Sequence, residues 1–144
     1  MSLFAERLLE LKEVCNLNNV DIQNLTGCSN QSISKWIKEN VYPKLISLIR
    51  MSDKFDCSID FLLGLTDKME KVRREVPLSF WERLSKQLKI NNVTQYKVAK
   101  DCRFDKSNFT KWKKYSFIPD TVTVIKMAQY FGVTVEYLYG LSDI

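Results

Sequence analysis

The sequence predicts an all-α chain of two tandem five-helix units joined by a short charged linker. Three observations carry this. With only 4 glycines and 3 prolines among 144 residues, 45% hydrophobic and 27% charged, the chain has the balance of a globular, helix-rich protein with few turns. Apolar residues recur at intervals of three and four, which places them on one helical face. Sliding the sequence against itself by 76 positions aligns residues 4–67 with 80–143 without a gap, and 16 of the 64 pairs are identical, where chance gives about four.

The identical pairs include Phe4/Phe80, Arg7/Arg83, Leu8/Leu84, Lys35/Lys111, Trp36/Trp112, Pro43/Pro119, Phe55/Phe131 and Gly64/Gly140. Other core positions stay apolar, as at Val14/Ile90, Ile22/Val98, Cys28/Phe104 and Ile33/Phe109. Two units of this length stack too little surface for a solenoid, so each copy reads as its own domain, residues 1–67 and 79–144. Residues 68–78 form the linker, charged and containing Pro77, before Ser79 and Glu82 supply a capping pattern. The Lys, Glu, Met and Arg of that segment also favour helix, so an extension of the preceding helix is the competing reading.

Within each unit the first helix spans roughly 3–15 and 80–91. Asn18 or Thr94 caps a short second helix, and Ser29 or Asp105 opens a third that carries Trp36 or Trp112 near its end. Pro43 and Pro119 fall at or near the first turn of a fourth helix, on Ile46, Ile49, Phe55 and Val122, Ile125, Phe131. A last short helix follows Ser58 or Thr134 and stops at Gly64 or Gly140, suited to a left-handed cap. The Val-Thr-Val runs at 122–124 and 133–135 have β propensity, but the periodicity around them favours helix. Ile33, Trp36, Phe109 and Trp112 have core spacing, and Phe61, Leu63, Tyr137 and Tyr139 are better read as core than as a dimer surface.

No apolar run is long enough to span a membrane, and the start lacks a signal-peptide pattern, which predicts a cytoplasmic protein without a membrane partner. Cys15, Cys28, Cys57 and Cys102 lack metal-ligand spacing, so they read as buried free thiols, and no metal or other cofactor is implied. With no His, no Gly-rich phosphate loop and no informative carboxylate pair, an enzyme is the least supported class.

Residues 93–100, with Asp105-Lys106-Ser107-Asn108-Phe109-Thr110-Lys111-Trp112 and then Pro119, resemble the Cro/phage-repressor (XRE-type) helix-turn-helix family. Residues 17–22 with 27–36 and Pro43 resemble it too. The resemblance implies lambda-repressor-like domains that bind double-stranded DNA, with the third helix of each in the major groove. It implies base readers at Asn30, Gln31, Ser32 and Lys35 in the first unit and at Lys106, Ser107, Asn108 and Lys111 in the second. Gln95 matches the family's phosphate-contacting glutamine, where a helix start also favours an anion, and Lys113 and Lys114 join the DNA-facing set. Asn19 takes the place of Gln95 in the first copy and is shorter. Plain solvation is the competing reading for each lysine.

The copies diverge. Gly27 stands where the second copy has Arg103, Gln23 where the second has the small Ala99, and Asn40 fits a left-handed loop position. Residues 1–67 carry 7 basic and 9 acidic side chains, and residues 80–144 carry 11 and 6. Phosphate attraction therefore lies mainly in the second unit, and the family resemblance implies a transcriptional regulator that acts as a repressor through promoter occupancy. The rival reading keeps DNA contact for the second unit only and gives the acidic first unit a homodimer or protein partner.

Overall fold

The computed structural model describes residues 1–71 and 79–142, so the segment around Pro77 and the pair position Asp143 lie outside the described residues. The chain divides into two compact units, Met1–Val72 and Arg73–Ile144. Among the described residues there are ten helices, five in each unit, and no strand.

In the first unit Ser2 starts α1 (Leu3–Val14) by accepting the Ala5 N–H. Asn18 caps α2 (Asn19–Thr26) through a reciprocal box: its Oδ1 accepts the Asp21 N–H at 2.9 Å, and the Asp21 carboxylate accepts the Asn18 N–H at 2.9 Å. Ser29 caps α3 (Asn30–Lys38), and α4 (Leu45–Phe55) and α5 (Ile59–Leu62) complete the unit. Helix α1 packs on α3 and α5, while α2 packs on α3 and α4. Phe4, Leu8, Ile22, Ile33, Leu48, Met51, Ile59 and Leu62 are fully buried between them. Arg7 ties the first helix to the last: it donates to the Phe61 carbonyl at 2.9 Å and its guanidinium lies 3.7 Å from the Phe61 ring centroid.

The second unit builds α6 (Phe80–Ile90), α7 (Gln95–Cys102), α8 (Ser107–Tyr115), α9 (Thr121–Phe131) and α10 (Val135–Leu138). Helix α7 packs on α9, and α10 on both α6 and α9. Helices α2, α4 and α5 recur in α7, α9 and α10 with both ends displaced by 76 residues. So, among the described residues, do all five left-handed backbone positions, at Asn16/Asn92, Gly27/Arg103, Asn40/Ser116, Asp56/Gly132 and Gly64/Gly140. Steric cost makes such positions uncommon for non-glycine residues, so their recurrence reflects the same chain path twice.

Several expectations need correction, although Pro43 and Pro119 do lie near the first turns of α4 and α9, buried one residue before their caps. At Asp120 the reason is plain: its carboxylate accepts the Thr123 N–H at 2.9 Å, so the helix starts after it, and the proline ring fills core space instead. Helix α8 begins one residue later than α3, because Lys106 takes part in a tight turn in which the Asn108 and Phe109 N–H groups reach back only three residues. Cys15 is exposed and Cys28 half-buried; only Cys57 and Cys102 are buried thiols. Val122–Val124 are helical, whereas Val133 and Thr134 are the turn before α10. Leu63, Tyr137 and Tyr139 are buried as core, and Phe61 is half-buried under Arg7.

Residues 68–71, at the start of the segment read as a linker, are not helical. They return to the first unit: the Ser58 N–H donates to the Met69 carbonyl at 2.9 Å, and Lys71 Nζ lies 3.1 Å from an Asp53 oxygen.

Two substitutions test the left-handed positions. Arg103, at φ 60°, holds a conformation that glycine adopts without a Cβ penalty, so Arg103→Gly should raise stability by about 1 kcal/mol. Gly64 is at φ 77°, and an added Cβ would meet Leu3 Cβ at 2.6 Å. Gly64→Ala should therefore lower stability by roughly 2 kcal/mol or more, read by urea unfolding followed at the unit concerned.

Candidate nucleic-acid interface

The orientation of α8 follows from what it buries. Phe109 and Trp112, three residues apart, turn inward and are 2% and 5% exposed. Phe104 lies 5.5 Å from the Phe109 ring and 5.3 Å from Trp112, and Phe80 meets Trp112 edge-on at 5.6 Å. At 100° per residue, that inner face sends Ser107, Thr110, Lys111, Lys114 and Tyr115 outward as one exposed stripe. Asn108, half-buried, and Lys113, exposed, flank the stripe on opposite sides. Lys106 is exposed in the turn before the helix.

The start of α8 is fixed by Asp105. Its Oδ1 accepts the Ser107 backbone N–H at 2.8 Å, and this bond, followed by the Ser107 side chain, holds the carboxyl below the usual carboxylate range. At the start of α7, Thr94 accepts the Lys97 N–H at 3.1 Å, and Gln95 occupies the first helical position, half-buried. Lys97 pairs with Asp101 at 3.2 Å; the Asp101 carboxyl is lowered first by the Tyr130 hydroxyl that donates to it at 2.9 Å, then by Lys97.

The first unit presents the same frame with different chemistry. Ile33 and Trp36 turn inward on α3, leaving Gln31, Ser34, Lys35 and Lys38 on its outward side, with Asn30 exposed at its first turn. Ser32 is half-buried with its hydroxyl 3.1 Å from that of Ser29, so it belongs to the helix cap. At the start of α2 the Asp21 carboxylate accepts the Asn18 N–H, and Asn19 Oδ1 accepts a hydrogen bond from Lys12 Nζ. Position 97, the counterpart of Asp21, is Lys. A helix start attracts phosphate through free N–H groups and its positive dipole end, and a carboxylate seated there opposes that attraction.

Thus the second unit gathers Lys106, Ser107, Lys111 and Lys114 along one surface with Asn108 and Lys113 at its margins. The first gathers Asn30, Gln31 and Lys35, while the Ser32 hydroxyl meets that of the cap residue Ser29. Thr110 and its counterpart Ser34, together with Lys38, lie on the outward stripes and were passed over in the sequence, although their spacing of three from Ser107, Gln31 and Lys35 carries the signal.

Residues 82–144 match the profile of a helix-turn-helix domain. The chain is also similar to the uncharacterized HTH-type transcriptional regulator YobD of Bacillus subtilis, 28% identical over 82 residues that cover 56% of this chain and 73% of that protein. No solved structure matches the chain. No helix among the described residues is long and apolar enough to cross a membrane.

Because the carboxyl of Asp105 has a lowered folded pKa, its share of stability is complete above the unfolded value near 3.9 and is lost as pH falls through the folded value. Asp105→Asn should remove that pH dependence while keeping an acceptor for Ser107, as read by thermal melting between about pH 2 and 6.

Proposed function

We propose that the chain is a sequence-specific double-stranded DNA-binding regulator of transcription, acting in the cytoplasm as a repressor by occupying promoter DNA. The observation that carries this is the outward stripe of α8, basic and polar from Ser107 to Lys114, within the stretch that matches a helix-turn-helix domain. Helix α8 lies in the major groove with Lys106, Ser107, Asn108 and Lys111 at base edges, while Gln95, Lys113 and Lys114 hold phosphates. The start of the neighbouring α7 is suited to this, since it carries no carboxylate in its first turn.

The first unit is a second copy of the same domain, a reading supported by the matching left-handed positions and helix ends. Its Asn30, Gln31, Ser32 and Lys35 stand where base readers would, but its contribution to DNA affinity is small. The net charge of −2 over residues 1–67, from 7 basic and 9 acidic side chains, and the carboxylate at the start of α2 both oppose phosphate. These same two features favour the second reading for this unit, a surface for self-association or for a protein partner.

Full-chain variants separate the roles. Lys111→Ala and Asn108→Ala should each cost about 1–3 kcal/mol on a selected duplex and less on random DNA. Lys114→Ala should weaken binding equally on all sequences and lower the slope of log K against log salt by about 1. Lys35→Ala should cost less than Lys111→Ala on every duplex. Wild-type affinity that does not vary with salt would sink the proposal.

A further inference from the structure

The surface beyond α8 is unlike its counterpart in the first unit. Tyr115, Phe117 and Ile118 are 54%, 57% and 52% exposed, three large apolar side chains within four residues. The Tyr115 and Phe117 rings stack at 5.5 Å with 30° between planes, and Lys114 Nζ lies 5.3 Å from the Tyr115 centroid. Ser116 between them sits at φ 55°. In the first unit the same positions are Glu39, Val41 and Tyr42, and Tyr42 is half-buried with its ring 6.1 Å from Phe4. Exposed apolar clusters of this kind mark contact surfaces.

We propose that the loop Tyr115–Ile118 is a second DNA contact, an apolar wedge that seats in the minor groove flanking the major groove occupied by α8. This rests on the reading of the second unit as a DNA-binding domain. Two arguments select the duplex as occupant. First, α8 is nine residues long, about 13 Å, and the major groove is about 12 Å wide, so a helix with Ser107 at the bases carries Tyr115 to the groove rim. Beyond that rim lie the sugars and the neighbouring minor groove, whose walls accept apolar side chains and whose steps such side chains unstack. Second, Lys114 lies against the patch and Lys111 one turn before it, and pairing the patch with a second copy of itself would bring those cations together, whereas a phosphate backbone neutralises them. Tyr115 also lies one turn from Lys111 on the same stripe, so the wedge continues the reading face without a break.

The test uses the full chain and the duplex that it enriches from a random library of about 30 bp. Wild-type protein should protect the flanking minor groove from hydroxyl radicals and bend the duplex. The Phe117→Ala/Ile118→Ser double variant should lose both, bind about tenfold more weakly and keep its base preference, with an unchanged melting temperature because both side chains are exposed. If the variant keeps the footprint, bend and affinity, the wedge is overturned while the DNA-binding reading stands. If it keeps the footprint but loses self-association in sedimentation, the patch is a surface between copies and the wedge is overturned. Failure of the wild-type chain to enrich any duplex overturns both readings.

Discussion

Everything the second unit presents outward depends on the inward anchoring of two side chains, Phe109 and Trp112, among Phe80 and Phe104. A nine-residue helix is too short to hold its own shape in water, so α8 takes both its existence and its rotation from that ring cluster. The lysines need no individual positioning once the helix is pinned: burying the third and sixth residues of α8 fixes where the others point. Helix α3 uses the same device with fewer rings, because Cys28 stands where Phe104 does.

The two units therefore separate scaffold from chemistry. Positions that set the chain path keep their conformation even when the residue changes: Arg103 is as left-handed as Gly27, and Ser116 as Asn40. Positions that decide what a surface attracts have changed freely, from Asp21 to Lys97 and from Tyr42 to Ile118. A carboxylate inside a capping box strengthens α2 as a helix and weakens its start as an anion site. Local stability and ligand affinity are thus set against each other at a single residue.

Most of the fold was legible because helices announce themselves twice, through apolar spacing and through short polar caps. Asn18, Ser29, Ser58, Thr94 and Thr134 all cap where the sequence placed them. What the sequence hid was competition between neighbours. The Asp105–Ser107 bond moved the start of α8, because only geometry decides which of two adjacent residues captures the free N–H. The outward stripes were readable from spacing, but the engagement of Asn19 by Lys12 and of Ser32 by Ser29 was not, since both need knowledge of rotamers.

The close seat of Gly64 against Leu3, together with the Arg7 bond to the Phe61 carbonyl, joins residues about sixty positions apart. Each unit closes its first helix onto its last, so its longest-range contacts are also the ones that complete it. The last helix of each unit therefore acts as its latch: the apolar face of the first helix is covered only when the closing helix of the same unit is in place.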